Sequence, residues 1–296
     1  MSGGVRVFQV DAFTAQRFCG NPAGVVLDAD ALSDGDMQAL ARELNNGDTA
    51  FLLRPDGPDH DLRVRFFTPR REAAFVGHAT LAAHAVLAAL GLKSRPRQKQ
   101  GAGMVEVKTL SNAPPRIAIS QPPPPLGRLL EPRELDTVLD ALALTRVDLD
   151  ARCPPSLAGP GTRLLLGVTA SATLARVRPD FERLTALSTQ IGAPGYFLFA
   201  LQGVPEELHT EARMFCPALG INEDPVSGNA HALLGMYLLR HELIVPSAGG
   251  FTGTQGHHLG RPGKVGVVFE RDGQTLRAVG IVGEAVIVFA TSLDFP

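Results

Sequence analysis

Short apolar runs set the pattern of the chain. Val5–Val10, Gly24–Leu27, Thr49–Leu53, Leu62–Phe67, Met104–Leu110 and Arg116–Ile119 are rich in Val, Ile, Leu or Phe and are bounded by polar or turn-forming residues, so they read as strands. Two stretches switch to helical spacing. The first spans Asp34 to Leu44, where Ser33 supplies a cap and Asp36 completes a capping box. The second begins at His78 and ends at Gly91.

The pattern then repeats. "VRFFTP" (Val64 to Pro69) returns as "ARMFCP" (Ala212 to Pro217), each followed by a polar loop, a Gly-x-Ala step and an apolar helix. Arg65 and Arg213 stand 148 residues apart, Gly77 and Gly228 151, so the second loop has gained three residues. Upstream, the Asp34–Leu44 helix and "TAFLL" find an echo in "DFERLTALSTQIGAPGYFLFAL" (Asp180 to Leu201). Downstream, "QGAGMVEV" resembles "QGHHLGRPGKVGVV". A duplicated half-length unit is expected, with the Pro-rich Ser120–Pro132 as a stiff linker near the midpoint. The fold class is α+β, with lobes over residues 1–122 and 123–296 and a last strand free to pack back on the first lobe.

Composition narrows the function. With 45% hydrophobic content, 296 residues can bury one large core or two medium ones. The 28 basic and 30 acidic residues leave a net charge of −2 without a block of like charge, which favours a small-molecule partner over nucleic acid or a membrane surface. No apolar run approaches the roughly 18 residues of a membrane span, and the first residues lack a signal-peptide core, so a cytoplasmic protein is expected. Cys19, Cys153 and Cys216 form neither a disulfide framework nor a metal knuckle, and the His residues show no zinc-ligand spacing. No metal is expected.

If a pseudo-twofold axis relates the lobes, the helix starts at His78 and Asn229 can face each other across a cleft. Their unpaired N–H groups then form a carboxylate site, with Gly77 and Gly228 allowing close backbone approach. His78 is the only group of its turn that titrates near neutrality, which suits an acid or base. Asp48, between Gly47 and the Thr49–Leu53 strand, would become a usable base if buried at the cleft floor. Asp224 and Ser227 or Asn229 also fit a plain helix cap near the dipole. Asn21, in "CGNPAGVV", could touch ligand but stands in a strong turn signal. A structural role is expected for His84 and His231, while His257 and His258 lie in a Gly-rich loop.

Together, "VDAFTAQRFCGNPAGVVLDAD", "FFTPRREAAFVGHATLAAH", "EDPVSGNAHALLGMYLL" and "TQGHHLGRPGKV" resemble the phenazine-biosynthesis PhzF-like family of the diaminopimelate-epimerase-like superfamily, over nearly the whole chain. The resemblance implies two pseudo-symmetric lobes, each a β-barrel-like sheet around a central helix, here His78–Leu90 and Ala230–Leu239. It also implies homodimers and an interlobe active site without metal or organic cofactor. In this family an acidic side chain moves a proton between carbons of a cyclic dienyl carboxylic acid; His78 and Asp224 match its His and Asp.

Two departures stand out. Asp48 replaces the family's Glu, one methylene shorter, and Ser227-Gly228-Asn229 replaces Thr-Gly-Ser. The expected function is a cofactor-independent isomerase of a small cyclic or unsaturated carboxylic acid, with Asp48, His78 and Asp224 catalytic and Asn21, Gly77, Ser227, Gly228 and Asn229 binding substrate. The alternatives are a catalytically decayed binding protein and a two-thiol amino-acid racemase or epimerase. The last is disfavoured because neither helix-start turn carries a cysteine.

Overall fold

A computed structural model describes residues 4–159, 163–245 and 247–294. The chain divides into two compact units, Met1–Gln121 with Val282–Pro296, and Pro122–Ile281. Both are mixed α+β.

The first unit contains β1 (Val5–Ala12), β2 (Asn21–Leu27), α1 (Asp34–Leu44), β3 (Asp48–Leu53), β4 (Leu62–Phe67), the short β5 (Glu72–Ala73), α2 (Gly77–Ala89), β6 (Arg97–Gln100), β7 (Gly103–Asn112) and β8 (Pro115–Gln121). The second contains β9 (Leu126–Leu129), α3 (Pro132–Ala141), β10 (Ser156–Ala158), β11 (Arg163–Val168), α4 (Ser171–Arg176), α5 (Phe181–Ile191), β12 (Gly195–Val204), β13 (Glu207–Cys216), β14 (Ile221–Asp224), α6 (Gly228–Arg240), β15 (Gly250–Gln255) and β16 (Gly263–Asp272). β17 (Thr275–Leu293) begins in the second unit and ends in the first.

In the first unit the ladder closes on itself. The order β1–β2–β3–β4–β6–β7–β8–β17 returns to β1, an eight-stranded barrel. Closure leaves no free edge in the ring. α2 packs on β1, β2, β3, β7 and β8 and is buried from Ala79 to Ala88, which explains why its sequence is apolar all round rather than striped. α1 is amphipathic instead. Its Met37, Leu40 and Ala41 pack with Val7, Val26, Phe51 and Phe67, and Ser33 with Asp36 forms the expected capping box.

The second unit repeats these pairings. β11∥β12, β12 antiparallel to β13, β13∥β15 and β15 antiparallel to β16 restate β2∥β3, β3 with β4, β4∥β6 and β6 with β7. The Arg-x-Phe motif has the same job in both. Arg65 grips Glu72 through two bonds of 2.7 and 2.8 Å and lies over Phe67; Arg213 grips Glu223 at 2.9 and 2.8 Å and lies over Phe215. Such paired Arg–carboxylate bonds fix geometry as well as charge. The three added residues fall between Arg213 and Glu223, in a short helical turn (Pro217–Leu219) ended by Gly220 at φ 83°.

Several boundaries differ from the sequence reading. α2 and α6 start at their glycines rather than at His78 and Ala230, because Val76 and Ser227, both extended, are the caps. α6 also runs on to Arg240. Of the Ser120–Pro132 stretch only Pro122–Pro125 is linker-like: Ser120 and Gln121 end β8, Leu126–Leu129 pairs with β10, and Pro132 opens α3, a position where its missing N–H costs nothing. Among the described residues no helix is long and apolar enough to cross a membrane.

Candidate active site

In the first unit, β2 and β3 run parallel with Ala23 opposite Asp48. Phe51 faces α1, so alternation turns Asp48 and Ala50 to the α2 side. There Asp48 Oδ2 lies 3.7 Å from His78 Nε2, with 13% and 12% of the two side chains exposed. Nε2 itself is buried and has no hydrogen-bond partner. Burial pushes the His78 pKa down to about 4, so the imidazole is neutral at neutral pH and the contact is not an ion pair there. Gly77 is buried in the same first turn, and Val76 offers its N–H groups no side-chain cap.

Asn21 opens β2 and is 3% exposed. The loop before it is held by Asp11, also buried, whose carboxylate accepts the Phe18 N–H at 2.6 Å. That loop places Phe13, Phe18 and Gly20 at φ of 65°, 68° and 62°. At Gly20 a side chain is impossible, since a Cβ would stand 2.1 Å from the Ala12 carbonyl oxygen. The sequence reading did not single out Asp11, although it sits in the quoted "VDAFT".

In the second unit, Asp224 ends β14 and Ser227 caps α6, its Oγ accepting the Ala230 N–H. Of the capping alternatives, Ser227 is the one observed. Gly228 is buried and Asn229 half-buried in the first turn. Gly77 and Gly228 both open right-handed helices, so left-handed backbone is not what they supply. Gln255 was missed. Its side chain is 1% exposed, accepts the Ser227 N–H at 3.1 Å and donates to the Asp224 carbonyl at 2.7 Å. The paired "KQG" and "TQG" of the two halves were the available signal.

The remaining polar candidates lie as follows. His84 Nε2 lies 3.0 Å from Gln98 Oε1, and His231 Nδ1 donates to the Ser227 carbonyl at 2.8 Å. Burial lowers both to about 4. His257 and His258 are exposed in the short turn after β15. Cys19, Cys153 and Cys216 are buried and form no disulfide, and burial pushes the last two up to about 12, out of reach of thiolate chemistry at neutral pH. Among the described residues no group of three or more His, Cys, Asp or Glu could hold a metal ion.

Proteins of similar sequence carry the name isomerase over nearly their whole length. The uncharacterized isomerase YddE of Escherichia coli K12 is 41% identical over 96% of each chain. The trans-2,3-dihydro-3-hydroxyanthranilate isomerase of Pseudomonas aeruginosa is 32% identical over 94% of this chain and 95% of its own. The protein is therefore an isomerase. The family described as phenazine biosynthesis-like protein, PhzC-PhzF, matches residues 10–291, and the chain belongs to it. A Bacillus anthracis phenazine biosynthesis protein of the PhzF family shares the fold, with a TM-score of 0.84, 26% identity and 98% of each chain covered.

Proposed function

We propose that the protein shifts a proton on a small cyclic or unsaturated carboxylic acid by acid–base catalysis. The observation that carries this reading is the carboxylate of Asp48 facing a neutral imidazole at the open start of α2. Asp48 takes the proton from a carbon next to an electron-withdrawing group and returns it to another. His78, neutral at the working pH, hydrogen-bonds or relays the proton without adding charge. In the first unit, N–H groups of the helix-start turn at Gly77–His78 hold the substrate carboxylate and the charge that develops on it, with Asn21 orienting the substrate. In the second unit, Gly228 and Asn229 offer N–H groups of the same kind at the start of α6, with Ser227 as the binding hydroxyl and Asp224 as the carboxyl group that takes part in the reaction. The repeat of pairings and of the Arg–Glu clasp supports descent of both units from one duplicated half, each built around its central helix.

The test is turnover in deuterium oxide. With trans-2,3-dihydro-3-hydroxyanthranilate as the first probe and other unsaturated ring carboxylates after it, product should carry solvent deuterium at carbon. Asp48→Asn should lower the rate by about 10²-fold or more. Product formed without exchange, at a rate Asp48→Asn leaves unchanged, refutes the reading.

A further inference from the structure

Ser227 is held from three directions by groups that never reach solvent. Its N–H goes to Gln255 Oε1 at 3.1 Å, its carbonyl receives His231 Nδ1 at 2.8 Å, and its Oγ takes the Ala230 N–H. Gln255 and His231 are 1% and 0% exposed. Gln255 also reaches Asp224 with its other end, the Nε2 donating to the carbonyl at 2.7 Å. One amide thus spans the whole lead-in from β14 to α6.

The first unit solves the same problem differently. Thr80 Oγ1 donates to the Val76 carbonyl, as His231 does to Ser227, and the Ala102 N–H bonds the Ala74 carbonyl across the loop tip. Glycines at the two hairpin tips lie close against the two turns. A Cβ on Gly101 would stand 3.0 Å from Ala74 Cα, and one on Gly256 2.9 Å from the Pro225 oxygen. Gln100, the counterpart of Gln255, is engaged elsewhere, its Oε1 accepting from Gln98 at 2.9 Å. Among the described residues, the side-chain clamp is seen in the second unit, where the turn carries a candidate carboxylate.

We propose that Gln255 is a positioning residue that fixes the Asp224–Ser227 turn, so that the Asp224 carboxyl group and the first α6 N–H groups keep one reactive placement. This rests on the reading of Asp224 as a participant in the reaction. A neutral amide offers an acceptor and a donor at this spacing, which a carboxyl group does only when protonated. A buried amide bonded at both ends is specific because either end left unsatisfied is costly.

Gln255→Met keeps the volume and loses both bonds; Gln255→Glu keeps the acceptor but turns a carboxylate oxygen towards the Asp224 carbonyl. Amide exchange over residues 221–231, read by mass spectrometry, should speed up at least tenfold in Gln255→Met while first-unit peptides stay as in wild type. Unchanged exchange overturns the clamp, whatever the substrate. In the deuterium assay Gln255→Met should lose at least tenfold in kcat with a smaller change in KM. The activity of Gln255→Glu relative to wild type should rise as the pH falls, because protonation restores the missing donor. Full activity of Gln255→Met beside an impaired Asp224→Asn overturns the proposal and leaves the reading of Asp224 standing. A fully active Asp224→Asn removes both.

Discussion

Acidification from pH 7.5 to 5 should strip the protein of much of its stability through three buried histidines. His78, His84 and His231 are each held near a pKa of about 4 by burial, against 6.5 when unfolded. Between those values the unfolded chain binds a proton at each site that the folded chain refuses, so stability is complete above pH 6.5 and falls as the pH drops towards 4. At pH 5 the loss is about 2 kcal/mol per histidine, about 6 kcal/mol in all. That rivals the roughly 5–15 kcal/mol total of a typical domain.

Ion-paired carboxylates do not imitate the effect. Asp34, Asp56 and Asp61 are held below the usual 3.8 by their Arg or Lys partners, so their contribution is lost only at lower pH. Urea unfolding followed by circular dichroism at half-unit pH steps provides the assay. Two of the histidines lie in the first unit and one in the second, so separate transitions should shift about 4 and 2 kcal/mol. His84→Gln, which keeps a donor towards Gln98, should restore about a third of the loss. A midpoint constant from pH 7.5 to 5 would falsify the assignment of neutral, desolvated imidazoles.

Gly253→Ala should destabilise by about 1–3 kcal/mol, since the new methyl would stand 2.2 Å from His231 Cδ2, and a His231→Thr background should relieve most of that in a thermal-melt cycle. Asp48→Glu adds one methylene towards an imidazole now 3.7 Å away; higher exchange activity identifies Asp48 as a shortened general base, and lower activity shows that the native substrate needs the shorter arm. The folded protein should resist iodoacetamide at pH 7.5 with full activity, because its thiols are buried; rapid inactivation with one label per chain would contradict the thiol-free mechanism.

The repeat was the most informative feature of the sequence because it reports a physical unit. Arg65 and Arg213 recur because each ties a strand to the next through a glutamate, and Phe67 and Phe215 because each supports the guanidinium. Asp48 and His78 were legible as candidates, the one leading into an apolar strand and the other set inside an apolar run, and the fold brings them together. Gln255 left only the faint trace of the paired Gln-Gly steps, and Asp11 left none. A buried polar residue declares itself only through partners distant in the chain, here 31 residues back from Gln255 to Asp224.

Compensating exchanges were equally hidden. In the first unit the small Thr80 faces the large Gln98; in the second the large His231 fills the space left by Gly253. Either residue alone looks like drift, and only the register of β4 with β6 and of β13 with β15 shows that each pair shares one volume.

β17 has a consequence for biogenesis. The first barrel has seven of its staves by Gln121, yet the eighth arrives only with Val282–Leu293, after the whole second unit has emerged from the ribosome. Until then β1 and β8 present open hydrogen-bonding rims to other unfinished chains. Synthesis speed and chaperone supply should therefore govern the yield of this enzyme more than the strength of any single contact inside it.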